Sequence, residues 1–187
     1  MTVEEWRRLL DRNPDAKYEY IDGHVYLMSG GSLDHADIAG NVYYALRSAL
    51  PGGCRARNSD AATRLSVSRY TFPDVSVSCD PGDRGAVREV RSPRVIVEVL
   101  SESTEAYDRG DKFGYYRACP SVQEYVLVAT RHQAVEVYRR TPEGWMLEEY
   151  GPDETVRFKS IEVSVPVSVF CEGTEVPVAM EEREGEV

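Results

Sequence analysis

The run Arg94-Val95-Ile96-Val97-Glu98-Val99-Leu100 constrains the fold more than any other stretch of this chain. From Val95 to Leu100 the apolar side chains fall on both parities, whereas a strand with one wet face alternates apolar and polar. The run therefore predicts a strand covered on both faces. Glu98 breaks the run and would be a carboxylate inside a buried sheet. Burying a charge without compensation costs as much as the net stability of a whole domain, so Glu98 requires a partner. That partner is an arginine, a lysine or a metal ion, and the rest of the sequence can be searched for it.

At 187 residues the chain fits one domain with a real core. No apolar run is long enough to cross a membrane. Met1 to Trp6 lacks a basic segment followed by an apolar one, so no export signal is expected. Cys54, Cys79, Cys119 and Cys171 are dispersed with no Cys-x-x-Cys pair, which argues against structural zinc and for reduced thiols in a cytoplasmic protein. The net charge of −10 argues against a strong non-specific nucleic-acid binder. The charge is uneven, however. Between Glu181 and Val187 four Glu face one Arg, and from Cys54 to Tyr70 Arg55, Arg57, Arg64 and Arg69 face only Asp60, a local +3. That span is either a solvated strand face or a phosphate-facing surface.

Thr2 and Glu5 form a capping box for a first helix ending before Asn13-Pro14. Lys17–Ile21 and His24–Ser29 read as a hairpin about Asp22-Gly23. Ser32 caps a second helix, with Ile38, Val42, Ala45, Leu46 and Ala49 at helical spacing up to about Leu50. Three strands follow: one near Arg55 to Val67, one from Tyr70 to Cys79 with Pro73 near its start, and the Glu98 strand. Asp108 to Ala118 reads as a helix. Val122–Thr130, Gln133–Arg140 and Trp145–Tyr150 read as strands, with the turn Thr141-Pro142-Glu143-Gly144 before the last. A less regular segment runs to Phe170. Residues 1–172 form one domain, and 173–187 form an acidic tail with the composition of a disordered segment. The fold class is α/β or α+β, a mixed β-sheet flanked by helices. The strand-helix-strand unit around Asp108 to Ala118 predicts a right-handed parallel crossover.

Asp74 follows Pro73 at a strand start, Glu98 lies inside the next strand, and Lys112 sits on the helix after it. Two carboxylates on neighbouring strands can hold a Mg²⁺ ion, with the Val99 carbonyl as a third ligand and water or phosphate completing the shell. Lys112 beside them can steady an attacking water or a phosphate. With Asp108 as cap, Lys112 would lie near the helix start, where the dipole disfavours a cation. The other reading makes Lys112 a surface residue paired with Asp108 or Asp111.

Pro73-Asp74 followed by Glu98-Val99-Leu100 resembles the signature of the PD-(D/E)XK nuclease superfamily. The chain is similar in particular to the Uma-type family of bacterial restriction endonucleases. The likeness is carried by Tyr18–Gly23, Ser32–His35, Phe72–Val75, Val97–Ser101, Tyr107–Phe113 through Arg117, Gln123–Tyr125 and Val135–Tyr138, and covers about residues 3 to 170. It implies a restriction-endonuclease-like fold and a Mg²⁺-dependent endonuclease hydrolysing phosphodiester bonds of DNA, Mn²⁺ being a substitute. It carries Asp74 and Glu98 as metal ligands. Leu100 stands where the superfamily has lysine. The resembling family lacks it too, and Lys112 matches the place to which its lysine has moved. His35 is a further catalytic candidate, as a general base or a phosphate contact, against the alternative of a helix-terminal structural histidine. Glu19 matches a family position without an evident role, and Tyr116 and Arg117 are expected to pack and pair rather than react. Cutting both strands favours a homodimer. The rivals are a nuclease-fold protein that binds without cutting and a metal-dependent phosphodiesterase of a smaller substrate.

Overall fold

The computed structural model describes residues 1–28, 30–85 and 87–178. Helix α1 (Val3–Arg12) starts at the expected capping box, with Thr2 and Glu5 exchanging side-chain and backbone hydrogen bonds. The hairpin β1 (Tyr18–Ile21) and β2 (His24–Leu27) turns at Asp22 and Gly23. Both have positive φ, which such a two-residue turn requires. Helix α2 (Leu33–Ala49) begins at Ser32, whose hydroxyl accepts from the His35 N–H.

The two strands expected next each divide. The first becomes β3 (Arg55–Asn58) and β4 (Ala62–Arg64), separated by a turn closed by Ala61 N–H on Asn58 O. The second becomes β5 (Arg69–Thr71) and β6 (Val75–Ser78), broken at Phe72-Pro73-Asp74. The halves enter different sheets, which pattern alone does not reveal. After β7 (Glu89–Val90) comes the strand holding Glu98, β8 (Pro93–Val99), buried on both faces except at Arg94. Helix α3 follows as α-helical Glu105–Tyr107, a π-turn Asp108–Lys112 and α-helical Phe113–Ala118. It starts earlier than expected, so Lys112 lies beyond the first turn and the expected dipole penalty does not apply to it.

Strands β9 (Glu124–Val128), β10 (Val135–Thr141) and β11 (Gly144–Tyr150) complete a six-stranded sheet of order β11-β10-β9-β8-β6-β3. Its one parallel pair is β8 with β9, joined through α3 as expected for a crossover. The second sheet has order β2-β1-β5-β4-β7. The segment read as irregular folds into a hairpin of β12 (Thr155–Phe158) and β13 (Val163–Pro166), followed by a helical turn α4 (Val167–Phe170). Val156, Phe158, Val163 and Val165 face inward there, an alternation too short to stand out in the sequence.

Alternate residues of β8 feed two cores. Val95, Val97 and Val99 pack with Ile38, Val42 and Leu46 of α2, and Ile96, with Leu100 just beyond the strand, packs with Tyr116 of α3. A third cluster seats Trp6 of α1 on Tyr20, Tyr70 and Phe72. Residues 173–178 lie on the body: Val176 is buried and Pro177 O accepts from Gln133 N–H. The remainder of the expected tail, 179–187, lies outside the described residues.

The expectation that all four cysteines are free thiols is corrected. Cys54 and Cys79 form a disulfide, while Cys119 and Cys171 are free and buried. The β3–β6 register pairs Arg55 with Ser78, so the next pair outward is Cys54 with Cys79. Only the register brings together two cysteines that are 25 residues apart in the chain. Among the described residues no helix is long and apolar enough to cross a membrane.

Candidate active site

Asp74 and Glu98 meet because β6 and β8 run antiparallel with Val75 opposite Val97. One pair further along, Asp74 lies beside Glu98. Side chains of directly opposed residues share a face and stand about 5 Å apart at Cβ. The Val99 N–H donates to Asp74 Oδ2 at 2.8 Å, which fixes that carboxylate against β8.

Lys112 is the partner that Glu98 requires. It comes from the π-turn of α3, and its Nζ lies 2.9 Å from Glu98 Oε1, 3.4 Å from Glu19 Oε1 and 3.5 Å from Asp108 Oδ1. All four residues are at most 5 % exposed. Tyr116 Oη donates to Glu98 Oε1 at 2.6 Å. Tyr125 Oη donates to the Asp108 carbonyl at 3.0 Å within the π-turn. Such one-turn widenings of a helix are frequent at functional sites, and this one carries both Asp108 and Lys112. Glu19 is held from the second sheet, where the Phe72 N–H donates to its Oε1.

His35 enters from the first turn of α2, with Nε2 3.4 Å from Asp74 Oδ2. Gly31 leaves room for the ring, since a Cβ there would stand 2.6 Å from His35 Cγ. A cavity of about 300 Å³ opens on the cluster, lined by Glu19, His35, Asp74, Glu98, Asp108 and Lys112.

Electrostatically the cluster is short of positive charge. Glu19, Asp74, Glu98 and Asp108 face one lysine and one histidine. Burial pushes the Glu98 carboxyl up to about 8; Lys112 opposes this, and the neighbouring Asp74 and Asp108 add to it. Burial also raises Asp108. Burial works against the Lys112 ammonium, but Glu98, Glu19 and Asp108 outweigh it and hold its pKa well above the ordinary value. Hydrogen bonding to Asp74 raises His35, partly offset by burial.

The structure thus brings together all five residues expected at the site: Asp74, Glu98, Val99, Lys112 and His35. The surface-lysine reading had Asp108 as a partner correctly and the location wrong, because Lys112 is buried. Glu19 and Tyr116 belong to the cluster, which sequence reasoning did not foresee. For Tyr116 a signal existed: Asp108, Lys112 and Tyr116 are four residues apart on one helix face. The basic span does not form one surface. Arg69 pairs with Asp22 and lies over the Tyr115 ring, Arg64 donates to Ser66 O, and Arg55 and Arg57 lie on the other sheet.

The donor set suits a hard divalent cation. The recorded contacts of Asp74 engage Oδ2 and those of Glu98 engage Oε1, so each carboxylate keeps its second oxygen uncommitted among the described residues. Among those residues no three His, Cys, Asp or Glu side chains are arranged as a ready-made metal cage. Mg²⁺ does not need one, since it commonly takes one or two carboxylates and fills its shell with water and phosphate.

Comparison with known proteins gives three findings. Residues 3–168 match the family model described as "Uma2: Putative restriction endonuclease". Two uncharacterised proteins of Synechocystis sp. are similar: one is 38 % identical over 176 residues, covering 92 % of this chain and 92 % of its own, and the other is 30 % identical over 155 residues, covering 79 % and 86 %. The crystal structure of "a putative nuclease belonging to DUF820" from Anabaena variabilis superposes with a TM-score of 0.72. At 20 % identity, it covers 91 % of this chain and 97 % of that one, a likeness of fold.

Proposed function

This chain belongs to the Uma2 family, and from that premise we propose that it is a Mg²⁺-dependent endonuclease hydrolysing phosphodiester bonds of DNA at Asp74, Glu98 and Lys112. The observation that carries this reading is the cluster of four carboxylates, three of them buried, against one lysine and one histidine, opening on a cavity. A divalent cation and a phosphodiester are complementary to it.

Asp74, Glu98 and the Val99 carbonyl would hold the ion. When bound, it supplies positive charge opposite the phosphoryl oxygens where negative charge develops. The protein's own groups do the rest. The Val99 N–H and His35 fix Asp74 through Oδ2, and Tyr116 fixes Glu98 through Oε1. Lys112 keeps its proton and presents a fixed ammonium beside Glu98, able to orient a water or stabilise the phosphate in the transition state. His35 Nε2, at the cavity wall, is placed to exchange a proton with a water or to contact a phosphate oxygen. Mn²⁺ should replace Mg²⁺, cutting both strands calls for a homodimer, and the expected location is cytoplasmic.

One observation favours a second reading, a nuclease-fold protein that binds without cutting. Lys112 already has three carboxylate neighbours, as a closed structural ion network would. The two readings separate on plasmid and single-stranded DNA with Mg²⁺ or Mn²⁺. The nuclease reading predicts nicking by the wild type and loss of nicking in Asp74→Asn and Glu98→Gln. Nicking that survives both substitutions, or no cleavage of any DNA by the wild type, contradicts it.

A further inference from the structure

The cavity at Asp74 and Glu98 does not end at His35. A second cavity, of about 560 Å³, shares Gly31, His35 and Asp74 with it and continues along α2. A third, of about 360 Å³, shares Tyr43 and Asn58 with the second and is bordered by α2 and the edge strand β3. His35, Ala39, Tyr43 and Arg47 stand four residues apart, and so on one helix face, along the whole path. From His35 to Arg47 the helix rises about 18 Å. That is roughly five nucleotides at the ~3.4 Å rise of one strand of a duplex, and fewer if the strand is extended.

The walls change character along the way. Lys17 borders the middle cavity, bonded to Ser59 Oγ at 2.8 Å and paired with Asp60 at 2.9 Å. Arg47 and Arg55 border the far cavity, and neither has a carboxylate partner among the described residues. Arg47 donates to Tyr43 Oη, and Arg55 to the carbonyls of Gly52 and Cys54. Arg57 also borders it, with its guanidinium donating to Asp83 O. Asp15, Asp60 and, at its inner end, Asp74 are the acids along this path, Asp60 and Lys17 neutralising each other. On a chain of net charge −10, the far cavity, where Arg47, Arg55 and Arg57 face Asp60 alone, is a local exception.

Gly40 is the second observation. It lies inside α2 on the wall of the middle cavity, and a Cβ there would meet nothing within 4 Å. Glycine is the poorest helix former after proline, and no neighbour requires it here. With Ala36 and Ala39 it leaves this wall of the groove free of bulky side chains.

We propose that this groove is the track of one nucleic-acid strand running from the scissile position along α2, its phosphates meeting Arg47 and Arg55 at the far end. The proposal rests on the nuclease reading for its direction and extends it to substrate form: one strand is gripped rather than the outside of a duplex.

The test is fluorescence anisotropy of a labelled single strand of about twelve nucleotides, in EDTA, across a salt series. Wild type is compared with Gly40→Ala, Gly40→Trp and Arg47→Gln. Nothing is cut without a divalent ion, so the result does not depend on catalysis. Gly40→Ala should bind like the wild type. Gly40→Trp, verified as folded by its melting curve, should lose about tenfold or more in affinity. Arg47→Gln should make the slope of log K against log salt shallower by about 0.7. Unchanged binding by Gly40→Trp, an unchanged slope in Arg47→Gln, or a duplex that binds tighter than the single strand and ignores Gly40→Trp overturns the track. So does a wild type that does not bind at low salt. Binding as expected together with an uncut plasmid would overturn the catalytic reading instead and leave the track standing.

Discussion

A single buried ammonium decides much of what this molecule can do. Lys112 stands among Glu19, Glu98 and Asp108, and removing it leaves three buried carboxylates without their cation. Breaking a buried pair from one side costs about 3–5 kcal/mol. Lys112→Ala should therefore lower the unfolding free energy read from urea melts by an amount in that range, and Glu98→Gln by much less, because Lys112 keeps two partners. Equal midpoints for Lys112→Ala and wild type would show the cluster to be open to solvent. At this scale the sequence was informative about Glu98, whose place in an apolar run required a partner, and about Asp74 beside Pro73. It was silent on Glu19, which comes from a hairpin in the other sheet. It left two readings open for Lys112, whose charged neighbours look the same on a surface as in a core.

The elements were legible where local chemistry alone determines them. The capping box of α1, the Asp22-Gly23 hairpin and the Ser32 cap of α2 each rest on residues within one turn, and all are present. Local chemistry gave out at β3/β4 and β5/β6, because one extended stretch can serve two sheets with only a turn or Pro73 to divide it. The hairpin of β10 and β11 shows how side chains then lock such pieces together. Arg139 of β10 is buried against Glu124 of β9 and lies 3.0 Å from Glu148 of β11, which Lys159 also meets at 2.6 Å. Partial burial works against the Glu148 carboxylate, but hydrogen bonds from Lys159, Tyr150 and Arg139 outweigh it and hold its pKa at about 2, below the ordinary 4.5. A folded pKa lower than the unfolded one contributes stability above the unfolded value and loses it as pH falls through the folded value. Stability should therefore decline between about pH 4.5 and 2 in the wild type and decline less in Glu148→Gln, as read from urea midpoints across that range. Parallel acid limbs for the two proteins would count against the clamp.

Across the whole molecule, three apolar clusters seat two sheets and their helices around the acidic centre. Relations of this range, such as strand register and which sheet receives which strand, lie outside what periodicity encodes. The cysteines are the plainest case. Cys54 and Cys79 look like unrelated thiols in the sequence and become cross-strand neighbours only once β3 and β6 are in register. Closing a loop of this size is worth about 3 kcal/mol when the constraint acts mainly on the unfolded chain, so Cys54→Ser should melt lower than wild type under non-reducing conditions and alike in reductant. Alkylation of both residues in the unreduced native protein would contradict the pairing. The charge imbalance at the middle of the molecule is the heart of the nuclease reading proposed above, in which the surplus of carboxylates at Asp74 and Glu98 holds a divalent cation. Calorimetric titration of Mn²⁺ into the wild type and into Asp74→Asn tests it most directly. Saturable binding by the wild type is expected, with a loss of at least about tenfold in affinity in the variant. No saturable binding, or equal binding by both proteins, would contradict it.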